Sequence, residues 1–168
     1  AEQEGRRWAE IIELTINLEQ AGDIIEHMQG KIQRIKTAKR HFFSSDGLEE
    51  LNQLHGLLSA NLRLGLSVFL SRDPHSARQL LEQKRQFRDS QRELAHAHVH
   101  RLHHRVVESI NTSATHLELI ADMKRLNSLF CSPAYAAIET DSLAQASKRG
   151  TRAETPLAPG APADSAVG

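Results

Sequence analysis

Two carboxylates with metal-ligand spacing, Glu19 and Asp23, lie in the stretch LTINLEQAGDII, residues 14–25. They are four residues apart, so a helix places them one turn apart on the same side. Two carboxylates in that position can bind one divalent cation such as iron or zinc. The alternatives are a solvated helix edge or ion pairs with arginines of a neighbouring helix, and the spacing alone favours these alternatives.

The ten histidines of the chain divide into an outer and an inner set. His96, His100 and His103 lie on a helical face that points away from the apolar stripe, so we expect them in water. Such a cluster can chelate zinc or nickel, but a solvated basic surface is the more common role. His98 lies at the centre of the apolar stripe, where a histidine is more often a hydrogen-bonded core residue than a ligand. We include it among the candidate metal ligands because a bundle can bring it against the two carboxylates.

None of three enzyme templates fits the sequence. A carboxylate-bridged di-iron bundle needs two inward-facing Glu-x-x-His pairs, and the chain has one, Glu93 with His96, that faces outward. Cys131 and His116 show no arrangement of nucleophile and base. No glycine-rich phosphate loop follows a strand, because no segment has the pattern of a strand. We therefore expect a protein that is not an enzyme.

Four long helical segments must position these residues, each with apolar side chains at a period near 3.6. They run from about 6 to 39, from 47 to 71, from 74 to 107, and from the interruption INTSATHLE at 110–118 to about 139. Asp73 caps the third segment and Pro74 takes its first helical position. Pro133 either kinks the fourth segment or restarts it. Short connections favour an all-α, antiparallel up-and-down bundle.

Size, charge and composition limit the class of protein. The 168 residues include 21 basic and 21 acidic side chains, which suits one domain without an electrostatic footprint for nucleic acid. No apolar run is long enough to cross a bilayer. From Asp141 onward the composition shifts to Ala, Pro, Gly, Ser and Thr, which is typical of disorder. We expect a helical bundle domain over residues 1–140 and a disordered tail over residues 141–168.

Two motifs in these helices resemble the PhoU-like domain at the C-terminal end of bacterial sodium/phosphate cotransporter proteins. EQAGDII, residues 19–25, is similar to the Glu-x-x-x-Asp signature of PhoU domains, and DMKRLNSLFCSPAY, residues 122–135, is similar to the last helix of that subfamily. The resemblance covers about residues 11–139, and the second motif is the more specific. It implies an all-helical fold and a metal role for Glu19 and Asp23.

The second copy of the metal signature departs from the family pattern. Where a soluble PhoU protein has Glu-Arg-x-x-Asp, this chain has KRLNS over residues 124–128, with a cation and a hydroxyl in place of the two acids. A salt bridge from Lys124 or Arg125 to the acids of the first helix is therefore the alternative to a metal.

We predict that the last helix carries a polar network and packs closely on the first helix. Asp122 lies inside the apolar stripe of the last helix, and we assign Lys124, Arg125 and Asn127 with it to a structural or partner-binding network. Gly22 costs about 1 kcal/mol relative to alanine in a helix interior. That cost is explained if the missing side chain allows the last helix to approach.

The resemblance implies a non-enzymatic regulatory or accessory domain of a sodium-dependent phosphate cotransporter, on the cytoplasmic side of the bacterial inner membrane. Its partners would be the transmembrane portion of the transporter, through helix-surface contacts, or a second copy in a homodimer. Two other functions stay open: a soluble metal-binding helical bundle, and a signalling bundle in which His55 or His100 accepts phosphate.

Overall fold

Five α-helices make up the described part of the chain, residues 2–37, 43–103 and 107–153 of a computed structural model. They are α1 (Glu2–Thr37), α2 (Ser45–Ser71), α3 (Pro74–His103), α4 (Val107–Phe130) and α5 (Pro133–Ala153). No strand occurs in these ranges, and none of their helices is both long and apolar enough to cross a membrane. The predicted all-α bundle is confirmed.

Local turn chemistry sets the helix starts. Ser44 precedes α2, and its hydroxyl accepts a hydrogen bond from the amide of Gly47 at 3.2 Å. Asp73 precedes α3 and accepts a hydrogen bond from the amide of Ser76 at 2.8 Å. Pro74 is the first residue of α3, as predicted, because its missing amide hydrogen has no partner to lose there.

The fourth predicted segment is divided differently in the structure. INTSATHLE, residues 110–118, does not interrupt a helix but lies within α4, because packing of the following apolar stripe outweighs the modest helix propensity of Asn, Ser and Thr. Residues 104–106, between α3 and α4, lie outside the described residues. Of the two roles predicted for Pro133, the structure shows the restart, since α4 ends at Phe130 and α5 begins at Pro133.

Helical structure continues beyond residue 140, where the predicted tail begins. α5 extends to Ala153, and residues 154–168, the rest of that predicted tail, lie outside the described residues. The division into a domain over 1–140 and a tail over 141–168 stays a prediction.

α4 is in contact with α1, α2 and α3. Its buried side chains Leu119, Met123 and Leu126 join apolar residues of α2 and α3 in the main core. α1 packs on α4 and to a smaller extent on α5, so the predicted contact between the first and last helices is confirmed. The N-terminal part of α1 contacts the end of α2, where Arg7 Nη1 donates a hydrogen bond to the Phe69 carbonyl oxygen at 3.2 Å. Between the later parts of the two helices, above α4, lies a groove.

The glycine that permits a close helix approach is Gly65, not Gly22. A Cβ atom added to Gly65 of α2 would overlap the carbonyl oxygen of Phe130 at the end of α4. Gly22 is exposed, and nothing lies within 4 Å of a Cβ atom added there. The prediction for Gly22 is wrong because α1 turns a different side to the core, the side that carries the buried Ala21 and Ile24.

Candidate functional site

Three buried polar side chains meet between α2, α3 and α4. Glu50, His98 and His116 are 7%, 2% and 1% exposed, and each offers a ligand atom within 4.8 Å of the other two. Each lies three or four residues along its helix from a leucine that packs in the main core: Leu54, Leu94 and Leu119, respectively. Because the apolar stripes of the three helices face one another, the fold brings these three polar residues together.

Close contacts join these side chains to one another and to a neighbouring hydroxyl. Glu50 Oε2 lies 3.1 Å from His116 Nε2, and His98 Nε2 lies 2.9 Å from Ser113 Oγ. The two imidazole rings are stacked, with centroids 4.4 Å apart and planes inclined by 11°. The ring of Phe43 lies 5.9 Å from that of His116. A carboxylate and two imidazoles thus share one enclosed site.

This donor set suits zinc or iron. Two imidazoles and one carboxylate form three-ligand sites for catalytic zinc and for non-haem iron. The 3.1 Å between Glu50 Oε2 and His116 Nε2 is close to the roughly 3.4 Å that separates two ligand atoms around a tetrahedral zinc ion. Each nitrogen lone pair lies in the plane of its ring, and the two stacked rings are nearly parallel. The lone pairs therefore do not converge on one point, and the ring of His98 must turn before both imidazoles bind the same ion. Without a metal, hydrogen bonds also offset part of the free-energy cost of burying the Glu50 carboxylate.

The structure separates His98 from the carboxylates predicted to lie beside it. Glu19 and Asp23 are exposed on α1, and neither belongs to a group of three potential metal ligands among the described residues. A metal at Glu19 and Asp23 stays a prediction, and the groups that surround His98 come instead from α2 and α4. Sequence reasoning missed Glu50 and His116, although both carry the signal that identified His98: a polar residue on an apolar stripe.

A buried ion pair joins α1 to α4. Lys31 Nζ lies 2.8 Å from Asp122 Oδ2 and 3.1 Å from Glu118 Oε2, and both Lys31 and Asp122 are buried. Desolvation acts to lower the pKa of Lys31, but the hydrogen bonds and negative charges of Asp122 and Glu118 outweigh it and raise the pKa above its ordinary value. Lys31 is therefore a protonated cation at neutral pH.

The charges of this pair are the reverse of those predicted, since the cation lies on α1 and the acids on α4. Lys124 and Arg125 are exposed, and Arg125 Nη1 lies 3.8 Å from Asp122 Oδ1 on its own helix. Asn127 is buried, and its Oδ1 accepts a hydrogen bond from Asn61 Nδ2 at 2.7 Å. The four network candidates thus divide into two inside the bundle and two on its surface.

The groove between α1 and α2 is apolar. Two adjoining cavities of about 270 and 440 Å³ share lining residues from three helices: Met28 and Ile32 of α1, His55 of α2 and Met123 of α4. Ile25 and Leu48, on opposite walls, are 42% and 51% exposed. An apolar groove of this kind is a typical binding surface for another apolar element.

The chain is similar to bacterial proteins named "Putative inorganic phosphate export protein YjbB". It is 55% identical over 139 residues to the proteins of Escherichia coli (strain K12), Shigella flexneri and Salmonella typhimurium. The match covers 83% of this chain and 26% of each relative, so the chain spans about a quarter of the length of the curated relatives it matches. No protein-family model matches the chain, and no solved structure gives a significant match. The printed name of these relatives refers to phosphate export, and the match does not confirm a PhoU-like domain.

Proposed function

We propose that the chain is a non-enzymatic regulatory domain of a longer phosphate transporter of the sodium/phosphate cotransporter type, held on the cytoplasmic side of the bacterial inner membrane. The observation that carries the proposal is its 55% identity, over 83% of the chain, to a protein named for phosphate export. Because the match covers only 26% of that relative, most of such a transporter lies outside the chain and is available as its partner.

The proposed contact surface is the groove between α1 and α2. A helix with an apolar face fits such a groove, as in other helix-in-groove complexes. Ile25 and Leu48 stand on its two walls with much of their side chains exposed. A charged residue at these two positions therefore alters the groove without opening the core.

A chimaeric transporter tests this role, with the present chain replacing the matched segment of the Escherichia coli relative. Release of labelled phosphate from loaded cells is compared for the native chain, the variant Ile25→Glu/Leu48→Glu, and the control Leu70→Glu. Leu70 is 75% exposed and lies on α2 outside the residues that line the groove. We expect native and control chimaeras to release phosphate at the same rate, and the groove variant to change that rate severalfold. Equal rates in all three, at equal membrane levels of the protein, would contradict the proposal.

Divalent-metal binding is a second candidate function, favoured by the Glu50–His98–His116 cluster. An ion bound there would link α2, α3 and α4 within the core, so binding would add directly to the stability of the folded chain. The ion would supply a fixed positive charge, and the three side chains would hold it as one carboxylate and two neutral imidazoles.

Elemental analysis distinguishes this site from the carboxylates on α1. Chelator-washed protein is re-equilibrated with zinc or ferrous iron and compared with the variants His116→Gln and Glu19→Ala/Asp23→Ala. We expect close to one ion per chain in the native protein and in the α1 variant, and none in His116→Gln. Loss of the bound metal only in the α1 variant would assign the ion to Glu19 and Asp23. Native protein that binds no metal would exclude both sites.

A further inference from the structure

We propose that a basic cavity between α3, α4 and α5 binds a phosphate-bearing anion. The cavity has a volume of about 340 Å³, within the range of small-molecule sites. Four cationic side chains line it: Lys84, Arg85 and Arg88 from α3, and Lys124 from α4. No carboxylate is among the described residues that line it, so its field favours an anion.

Neighbouring acids neutralise only part of this charge. Arg85 pairs with Glu82, and Arg88 Nε lies 3.9 Å from Asp89 Oδ1. Both ion pairs are exposed, and the interaction free energy of an exposed ion pair is small. Lys84 and Lys124 take no part in the ion pairs of the described residues. The cavity therefore keeps at least two positive charges, which matches the charge of a phosphate dianion better than that of one carboxylate.

Neutral hydrogen-bond groups complete the lining. Lys84 Nζ donates a hydrogen bond to the Tyr135 hydroxyl at 3.2 Å, which positions the ammonium group at the wall of the cavity. Asn127 also lines the cavity. Its Oδ1 accepts the hydrogen bond of Asn61, so its amide nitrogen is the group left to donate to a ligand. Cations, a hydroxyl and an amide together offer the donors that the oxygens of a phosphate group accept.

This ligand deepens the regulatory role proposed above, because the same residues connect the cavity to the core. Asn127 joins α4 to α2 through its hydrogen bond with Asn61, and α2 forms one wall of the apolar groove. An anion bound by Asn127 would therefore act on the helix that the partner contacts. A free phosphate and a lipid headgroup present the same chemistry to the cavity, so both are tested.

Calorimetric titration of the whole chain with inorganic phosphate at physiological ionic strength tests the site, since salt screens non-specific surface binding. The variant Lys84→Gln/Lys124→Gln is compared with Arg34→Gln/Arg63→Gln, which removes the same charge from exposed positions outside the cavity. We expect one phosphate per chain, at least tenfold weaker binding in the cavity variant, and native affinity in the control. Circular dichroism checks that both variants remain helical.

Sedimentation with vesicles of phosphatidylglycerol, against vesicles of phosphatidylcholine, separates the two sources of phosphate. Binding to phosphatidylglycerol that is lost in the cavity variant, without binding of inorganic phosphate, would support the site and assign it to a lipid headgroup. Phosphate and vesicle binding that are both absent, or both unchanged in the cavity variant, would overturn the proposal. Neither assay uses transport or the apolar groove, so such a failure would leave the chimaera result to decide the regulatory role.

Discussion

Lys31 carries the positive charge that joins α1 to the interior of the bundle. Its partner Asp122 is buried on α4, and Glu118 approaches the same ammonium group from a more exposed position. A buried pair gains little over an apolar pair of the same shape, but removal of one partner leaves the other charge without compensation. The pair thus acts mainly to fix how α1 lies on α4.

Replacing Lys31 with methionine should lower the free energy of unfolding by about 3 kcal/mol, the lower end of the range for breaking a buried pair. The cost lies at that end because Arg125 remains 3.8 Å from Asp122. Urea denaturation measures the change, and Arg6→Met, which removes an exposed pair with Glu2, serves as control with a loss below about 1 kcal/mol.

The contribution of the Lys31–Asp122 pair to the stability of the folded chain depends on pH. Because the pKa of Lys31 is raised in the folded chain, its contribution is complete below the ordinary lysine pKa and is lost as the pH rises through the raised value. Equal stability of the Lys31→Met variant and the control at neutral pH would show that the pair does not hold α1.

At the residue scale, the sequence identifies some of the buried polar positions but not which of them meet. His98 and Asp122 were both expected on apolar stripes, and both are buried. Their partners lie on other helices, and helical periodicity does not predict contacts between helices. The close approach of Glu50 and His116 follows only once the rotation of each helix is known.

At the scale of elements, the packing of whole helices determines where two helices approach closely, as two glycines show. Gly65 lies where α2 meets the carboxyl end of α4, whereas Gly22 lies on the outer side of α1. A glycine at a crossing and a glycine in water look the same in a sequence pattern. The missing amide hydrogen of Pro133 predicts either a kink or a restart there, whereas the sequence does not predict the continuity of α4 through residues 110–118.

Alanine at these two glycines should change stability in opposite directions. Gly22→Ala should stabilise the chain by about 0.5–1 kcal/mol, because alanine favours the helix and nothing obstructs its methyl group. Gly65→Ala should destabilise it by about 2 kcal/mol, because the methyl group would overlap the Phe130 carbonyl and force α2 and α4 apart. Denaturation midpoints measure both changes, and a stabilising Gly65→Ala would contradict the packing described.

At the scale of the whole molecule, α1 is the least embedded helix. Its buried residues are Ala21, Ile24 and Lys31, and all of them lie in its central and C-terminal parts. Trp8 and Ile12, in its N-terminal part, are 67% and 57% exposed. Helices with few buried contacts open at lower free energy than the core, so α1 should move separately from the rest of the bundle.

Amide hydrogen exchange measures that difference along the chain. Amides of residues 8–20 should exchange faster than those of residues 51–68 and 116–130, and Lys31→Met should accelerate exchange in α1 while leaving α4 close to native. Protection of α1 equal to that of α4 would contradict this order of stability.

A partner helix that fills the groove would contact Met28 and Ile32 of α1 as well as α2, so it should slow exchange in α1 most. Partner binding should therefore have its largest effect on α1, the helix that packs least against the rest of the bundle.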